Sequence, residues 1–214
     1  AETGYAAFRD MVRTVIAHAG GLRMDHVLGL FRLWWIPEGM GAPEGAYVEY
    51  DHEVLLAVLT LEAERAGVVV IGEDLGTVEP WVQDVLAQKA VLGTSIVWFE
   101  HDDDDYSPLP QEKYRQLALS SVNTHDLPPT LAYLRGDHIS LRAHLGVLTR
   151  SVEEEQRDDI EWQARVLGAV ADRGLLPQRD YLVDPAERAS RGAEEDISVA
   201  LHRYIAGTPS ALAC

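Results

Sequence analysis

Apolar positions along the chain follow two alternating rhythms. Tyr5, Phe8, Val12, Val15, Ile16 and Ala19 recur every three or four residues, which predicts an opening helix. Gly20 and Gly21 interrupt it, and Leu22 to Val27 forms a short apolar run holding Arg23 and Asp25. "VEYDHEVLLAVLTLEAERAG" returns to the helical period and closes on Gly67. Val68 to Gly72 is a buried-strand run, and "TVEPWVQDVLAQKA" reads as a helix capped at Thr77, with Pro80 in its first turn. "GTSIVWFE" predicts another strand, and "LALSSVNTHD" a weaker one. Residues 127–206 are expected to be mainly helical, with long helices over Ser151 to Arg173 and Glu194 to Ala206. A connecting loop from Gly174 to Gly192 separates those two.

Strands that are apolar throughout and separated by helices indicate parallel pairing under a helical cover. Doubly wound sheets and eightfold barrels both satisfy this rule, and the polar residues favour the barrel. Asp25, Glu73, Glu100 and Asp126 stand at or just past the ends of successive apolar runs, where barrel enzymes build their sites. No phosphate-binding glycine loop follows any run. About four strands are visible, so the expected fold class is α/β: a partial (β/α)8 TIM barrel covering the later strands, with a helix-rich C-terminal segment. Residues 1–214 are taken as one partial catalytic domain. A start without methionine inside a helical pattern, and an end in "SALAC" with no closing element, read as a piece of a longer protein.

Composition narrows the partners. The net charge of −17 disfavours nucleic acid and anionic membranes. Cys214 is the single cysteine, which excludes an intrachain disulfide and argues against a cysteine-built metal site. No apolar run approaches the ~18 residues of a membrane span, and nothing signal-like opens the chain, so a cytoplasmic setting is expected.

Carboxylates on neighbouring strand ends are what glycoside chemistry uses: one attacks or stabilises the anomeric carbon, and a second protonates the leaving oxygen. Arg23 and Asp25 lie two apart, hence on one expected strand face, where the guanidinium is expected to orient the carboxylate. Glu73, after an apolar run, suits the acid if burial favours its protonated form. The same carboxylates fit a Mg²⁺-dependent lyase or isomerase, one ligand per strand, and Arg23–Asp25 also fits a purely structural ion pair. "HDDDD" (101–105) lacks the glycine and terminal glutamate of a calcium loop and reads as a solvated acidic turn.

"GLRMDHVLGLFRLWWIP", "GAYVEY", "VVVIGEDLGTV" and "NTHDLPPT" closely resemble the corresponding blocks of the amylomaltases, the 4-α-glucanotransferases of glycoside hydrolase family 77 in the α-amylase clan. The resemblance runs from about Tyr5 to Leu212. It implies that Asp25 is the nucleophile beside Arg23, that Glu73 is the acid/base, and that Asp126, next to His125, stabilises the transition state. It implies a maltooligosaccharide or glucan substrate, retained configuration, and no metal or organic cofactor in the chemistry. "HDLPPT" carries one proline more than the commonest family form, a loop difference outside the H-D pair. Family members run to several hundred residues, so the first barrel strands are expected to be missing here, and a non-catalytic or inactive fragment remains an alternative. Trp34, Trp35 and Tyr47 are candidates for stacking on glucose, with at least one tryptophan expected in the core.

Overall fold

The computed structural model describes residues 4–214. The chain divides into two compact units. The first runs to Thr94 and includes Leu117–Leu119; the second holds Ser95–Gln116 and Ser120–Cys214.

In the first unit, α1 (Ala6–Ile16) presents Val12 and Ile16 to the core and ends four residues before the glycine pair. Val15 is exposed, so the buried stripe of this helix is narrower than its apolar sequence. β1 (Gly21–Met24) pairs in parallel with β4 (Val69–Gly72), Gly21 opposite Val69 and Met24 opposite Gly72. Between them comes a hairpin that the sequence reading missed: β2 (Arg32–Trp35) antiparallel to β3 (Ala46–Glu49), with Trp34 opposite Tyr47.

α2 (His52–Ala66) starts at Asp51, whose carboxylate accepts from the Val54 N–H, and stops at Gly67 in the left-handed region. Its Leu56, Leu59 and Ala63 join Val12, Ile16, Val27, Phe31, Val70 and Leu86 in one apolar core. Glu62 faces α1 and takes two bonds from Arg13, at 2.6 and 3.0 Å, and one from Arg65. The Arg13 contact holds its carboxyl below the usual range. α3 (Pro80–Gln88) begins at Pro80 with Glu79 as its cap, not at Thr77: proline at the first helical position costs no hydrogen bond. β4 bridges in parallel to Leu92 at Ile71, and Gly93 donates to Leu117.

β5 (Gly93–Ile96) and β6 (Ala118–Ser121) each cross the division between units. β5 is buried along its whole length, as a strand covered on both faces must be. It ends at Ile96, so Glu100 lies beyond a turn rather than at the strand end.

In the second unit, Val97 donates to Ser121, and Ala211 and Cys214 donate to Gln116 and Ser120. Leu212–Ala213 therefore forms β7 beside β6, correcting the expectation that "SALAC" closes nothing. The helices are α4 (Thr130–Arg135), α5 (Asp137–His144), α6 (Val152–Asp172) and α7 (Glu194–Ala206), with α6 packed on α5 and α7. Ser151 and Glu154 form a reciprocal capping box at the start of α6.

The expected loop 174–192 contains a 3₁₀ stretch, Pro185–Arg191, opened by an Asp184 carboxylate bonded to the Ala186 N–H. It delivers Arg188 and Arg191 into the interior. Arg188 meets Asp159 at 2.7 Å, and Arg191 donates to Gln163 at 2.8 Å. Asp102–Asp105 is an exposed turn in which Asp102 pairs with Lys113 at 2.7 Å. Among the described residues no helix is long and apolar enough to cross a membrane.

Candidate active site

The predicted nucleophile sits one residue past β1, in a tight turn. Arg23 Nη1 lies 2.7 Å from Asp25 Oδ1, with the arginine more shielded than the carboxylate (28% against 56% exposed). The pair was expected to share one face of a strand. Instead the strand ends at Met24, and Arg23 reaches the turn that follows. Asp25 therefore faces solvent while one oxygen is held by a cation, the arrangement an attacking carboxylate needs.

Glu73 continues directly from β4. Its main chain closes the parallel pair: the Glu73 N–H donates to Met24 O at 2.8 Å, and the Val27 N–H donates to Glu73 O at 3.0 Å. Its side chain is half-buried, and both oxygens accept backbone N–H bonds. His26 donates to Oε2 at 2.9 Å and Leu75 to Oε1 at 2.7 Å. The apolar enclosure expected around this carboxyl is thus replaced by two amide donors. Asp74, the next residue, is buried and accepts the Thr94 N–H at 2.8 Å.

The hairpin supplies aromatic surface close by. Trp34 and Tyr47 meet edge to face at 4.9 Å between ring centroids, and both are exposed (45% and 58%). Trp35 is exposed as well, so neither tryptophan of the pair is the expected core residue. Trp98 is the buried one. A two-stranded ribbon has no second layer to cover it, which explains the outcome. Trp34 Nε1 donates to Ala42 O, and Gly45 lies so close beneath the indole that a Cβ there would be 2.3 Å from Nε1.

Arg32, which the sequence reading passed over, stacks its guanidinium 4.4 Å from the Tyr47 ring centre and pairs with Glu79 at 2.8 Å. Its signal was available: it stands two residues before Trp34 on a strand, hence on the same face. His26, Arg32, Trp34, Tyr47, Leu75 and Thr77 line a cavity of about 260 Å³. A larger groove of about 560 Å³, lined by His52, Leu61 and Val85, holds none of the predicted site residues.

In the second unit, His125 and Asp126 lie in the turn after β6, both more than half exposed, with Nε2 3.1 Å from Oδ1. Asn123 shapes that turn: its amide donates to Pro128 O, and its side-chain oxygen accepts from Thr124 N–H. The Asp126 N–H donates to Thr124 Oγ1.

The sequence profile described as 4-alpha-glucanotransferase (glycoside hydrolase 77) matches residues 1–214. A 4-alpha-glucanotransferase of Mycobacterium tuberculosis is 48% identical over 99% of this chain, and one of Haemophilus influenzae is 33% identical over 94%. The crystal structure of amylomaltase from Corynebacterium glutamicum superposes with a TM-score of 0.94 at 52% identity, covering the whole of this chain and 30% of that one. The chain spans 28% and 27% of the mycobacterial and Haemophilus relatives. A profile match along the full chain, joined to a near-identical backbone at 52% identity, places the chain in glycoside hydrolase family 77, the 4-alpha-glucanotransferases.

Proposed function

We propose that the protein carrying this chain is a 4-α-glucanotransferase that moves α-1,4-glucan segments between maltodextrins by double displacement. Asp25 attacks the anomeric carbon while Glu73 gives its proton to the departing glycosidic oxygen. The bond between C1 and that oxygen breaks, and a glucosyl ester forms on Asp25. A second sugar's 4-hydroxyl then attacks C1, Glu73 takes its proton, and the ester is released with net retention. Asp126 steadies the positive charge that develops on the sugar, with His125 beside it. Arg23 orients Asp25, and Trp34 and Tyr47 carry a glucose ring.

The observation that carries this reading is the pairing of a cation-held Asp25 with a Glu73 carboxylate tied to the very next residue, in a chain of this family. We further propose a partial (β/α)8 barrel as the fold, residues 1–214 as part of one catalytic domain, a cytoplasmic setting, and no metal or organic cofactor. The relatives' names support transfer over a metal-dependent lyase or isomerase.

The full-length protein, given maltotriose, is expected to produce glucose together with longer maltodextrins, and chelator is expected to leave the activity intact. Glucose and maltose without longer products would mean hydrolysis. Asp25→Asn is expected to stop the first step. Glu73→Gln is expected to lose about 100-fold or more on maltotriose while still consuming a maltosyl fluoride donor, whose leaving group needs little protonation. Asp126→Asn is expected to lower kcat more than it raises KM.

A further inference from the structure

His26 adopts φ 46° and ψ 58°, a left-handed conformation that side chains with a Cβ seldom enter. One contact accompanies that conformation. The turn aims the His26 N–H at Glu73 Oε2, 2.9 Å away, while its carbonyl accepts from Gly29 at 2.9 Å. The next amide, that of Val27, bonds the Glu73 main-chain oxygen. The turn also sits hard against the end of β4, since a Cβ on Gly72 would come within 3.0 Å of three Val27 atoms. Asp25 and His26 are consecutive, so a rigid peptide unit joins the attacking carboxylate to the amide gripping the other.

We propose that His26 is a positioning residue whose left-handed backbone amide, rather than its imidazole, sets Glu73 in place relative to Asp25. This rests on the reading of Glu73 as acid/base. The imidazole is exposed and lines the cavity beside Trp34 and Tyr47, so a direct role of the ring is the competing account.

The two accounts separate in the full-length protein. Glycine enters the left-handed region freely and asparagine tolerates it, whereas a β-branched residue is an outlier there. His26→Gly and His26→Asn are therefore expected to lose less than about tenfold in kcat on maltotriose, and His26→Val about 100-fold, the size of a lost proton transfer. In single-turnover fluoride release from maltosyl fluoride, which reports ester formation alone, all three are expected to stay within about tenfold of wild type, because that leaving group needs little protonation. As a second variant that keeps the ring, His26 is replaced by its α-hydroxy acid analogue, which exchanges the N–H donor for an ester oxygen. The same donor-selective loss is expected.

Equal losses in the Gly, Asn and Val variants would overturn the proposal in favour of the ring. Loss on both donors by the backbone analogue would overturn it in favour of a merely structural turn. Glu73→Gln on the same two donors guards the underlying reading: if it loses both equally, the acid assignment itself fails. If it is donor-selective and the backbone analogue is not, the His26 proposal alone falls.

Discussion

Asp159 is the anion on which the interior of the second unit turns, and replacing it with asparagine is the sharpest test of that unit's packing. Its carboxylate, 8% exposed, faces the Arg188 guanidinium, 7% exposed, at 2.7 Å, and both oxygens accept from Gln163 Nε2 at 3.1 Å. Arg191 lies in the same cluster, donating to Gln163 and to Leu134 O. Burial pushes Arg191 down to about 10, so it remains a cation at neutral pH. Asp159→Asn keeps the shape but leaves the buried Arg188 guanidinium without its carboxylate. Breaking a buried pair in this way costs roughly 3–5 kcal/mol, and about 4 kcal/mol corresponds to a nearly thousandfold change in an opening equilibrium. The readout is amide hydrogen exchange at Val166, Leu167 and Val170, which lie buried in the C-terminal half of α6. Their protection is expected to fall by about 1,000-fold, whereas Asp159→Leu combined with Arg188→Met, which removes both charges of the pair, is expected to cost clearly less. A loss below about tenfold in Asp159→Asn, or a double variant worse than the single one, would refute the electrostatic account.

The same cluster sets a pH dependence. Burial holds His138 below its ordinary value, aided by Arg188 and Arg142 and opposed by Asp159 at 3.6 Å. The unfolded chain then binds the extra proton first, so stability is complete above about pH 6.5 and declines as pH falls from there toward the folded value. His138→Asn is expected to flatten that part of a Tm–pH curve, and an unchanged slope would exclude His138 as its source. Gly136, at φ 76°, would bring a Cβ to 3.1 Å from the Arg188 guanidinium, so Gly136→Ala is expected to destabilise by about 1–3 kcal/mol, read by denaturant midpoint. Gly45→Ala drives a methyl into Trp34 and is expected to raise KM for maltotriose about tenfold with little change in kcat. An unchanged KM would remove Trp34 from the sugar site.

What could be read from sequence followed from periodicity and caps. Ser151 and Glu154 mark the start of α6, and Gly67 marks the end of α2, because a cap is a local event written in neighbouring residues. The hairpin β2–β3 escaped because Leu33, Trp34, Trp35 and Ile36 form an unbroken apolar run, while the ribbon they build is exposed. A two-residue alternation cannot be seen where both faces carry large apolar side chains. β7 escaped because two residues hold no period at all, and its existence depends on Gln116 and Ser120 lying alongside. The 3₁₀ stretch at Pro185–Arg191 escaped because two arginines in a polar segment read as surface until their acceptors, Asp159 and Leu134 O, are known.

The candidate site divides along the same line. Side-chain chemistry was legible: Arg23 and Asp25 two apart, Glu73 after an apolar run, His125 beside Asp126. The way these groups are held was not, because much of it is backbone. The Glu73 oxygens are gripped by the amides of His26 and Leu75, and an amide carries no letter in the sequence. The left-handed turn at His26 is the extreme case, since the usual signal for that conformation is glycine or asparagine and neither is present. Histidine enters this region more often than most side chains, and here the peptide groups on both sides of it are bonded. The bonds from His26 to the Glu73 side chain, and from Val27 to the Glu73 main chain, both run between the segments bearing the two carboxylates. A strained turn serving only to end a strand would have no need to grip the neighbouring strand's glutamate by both its side chain and its backbone.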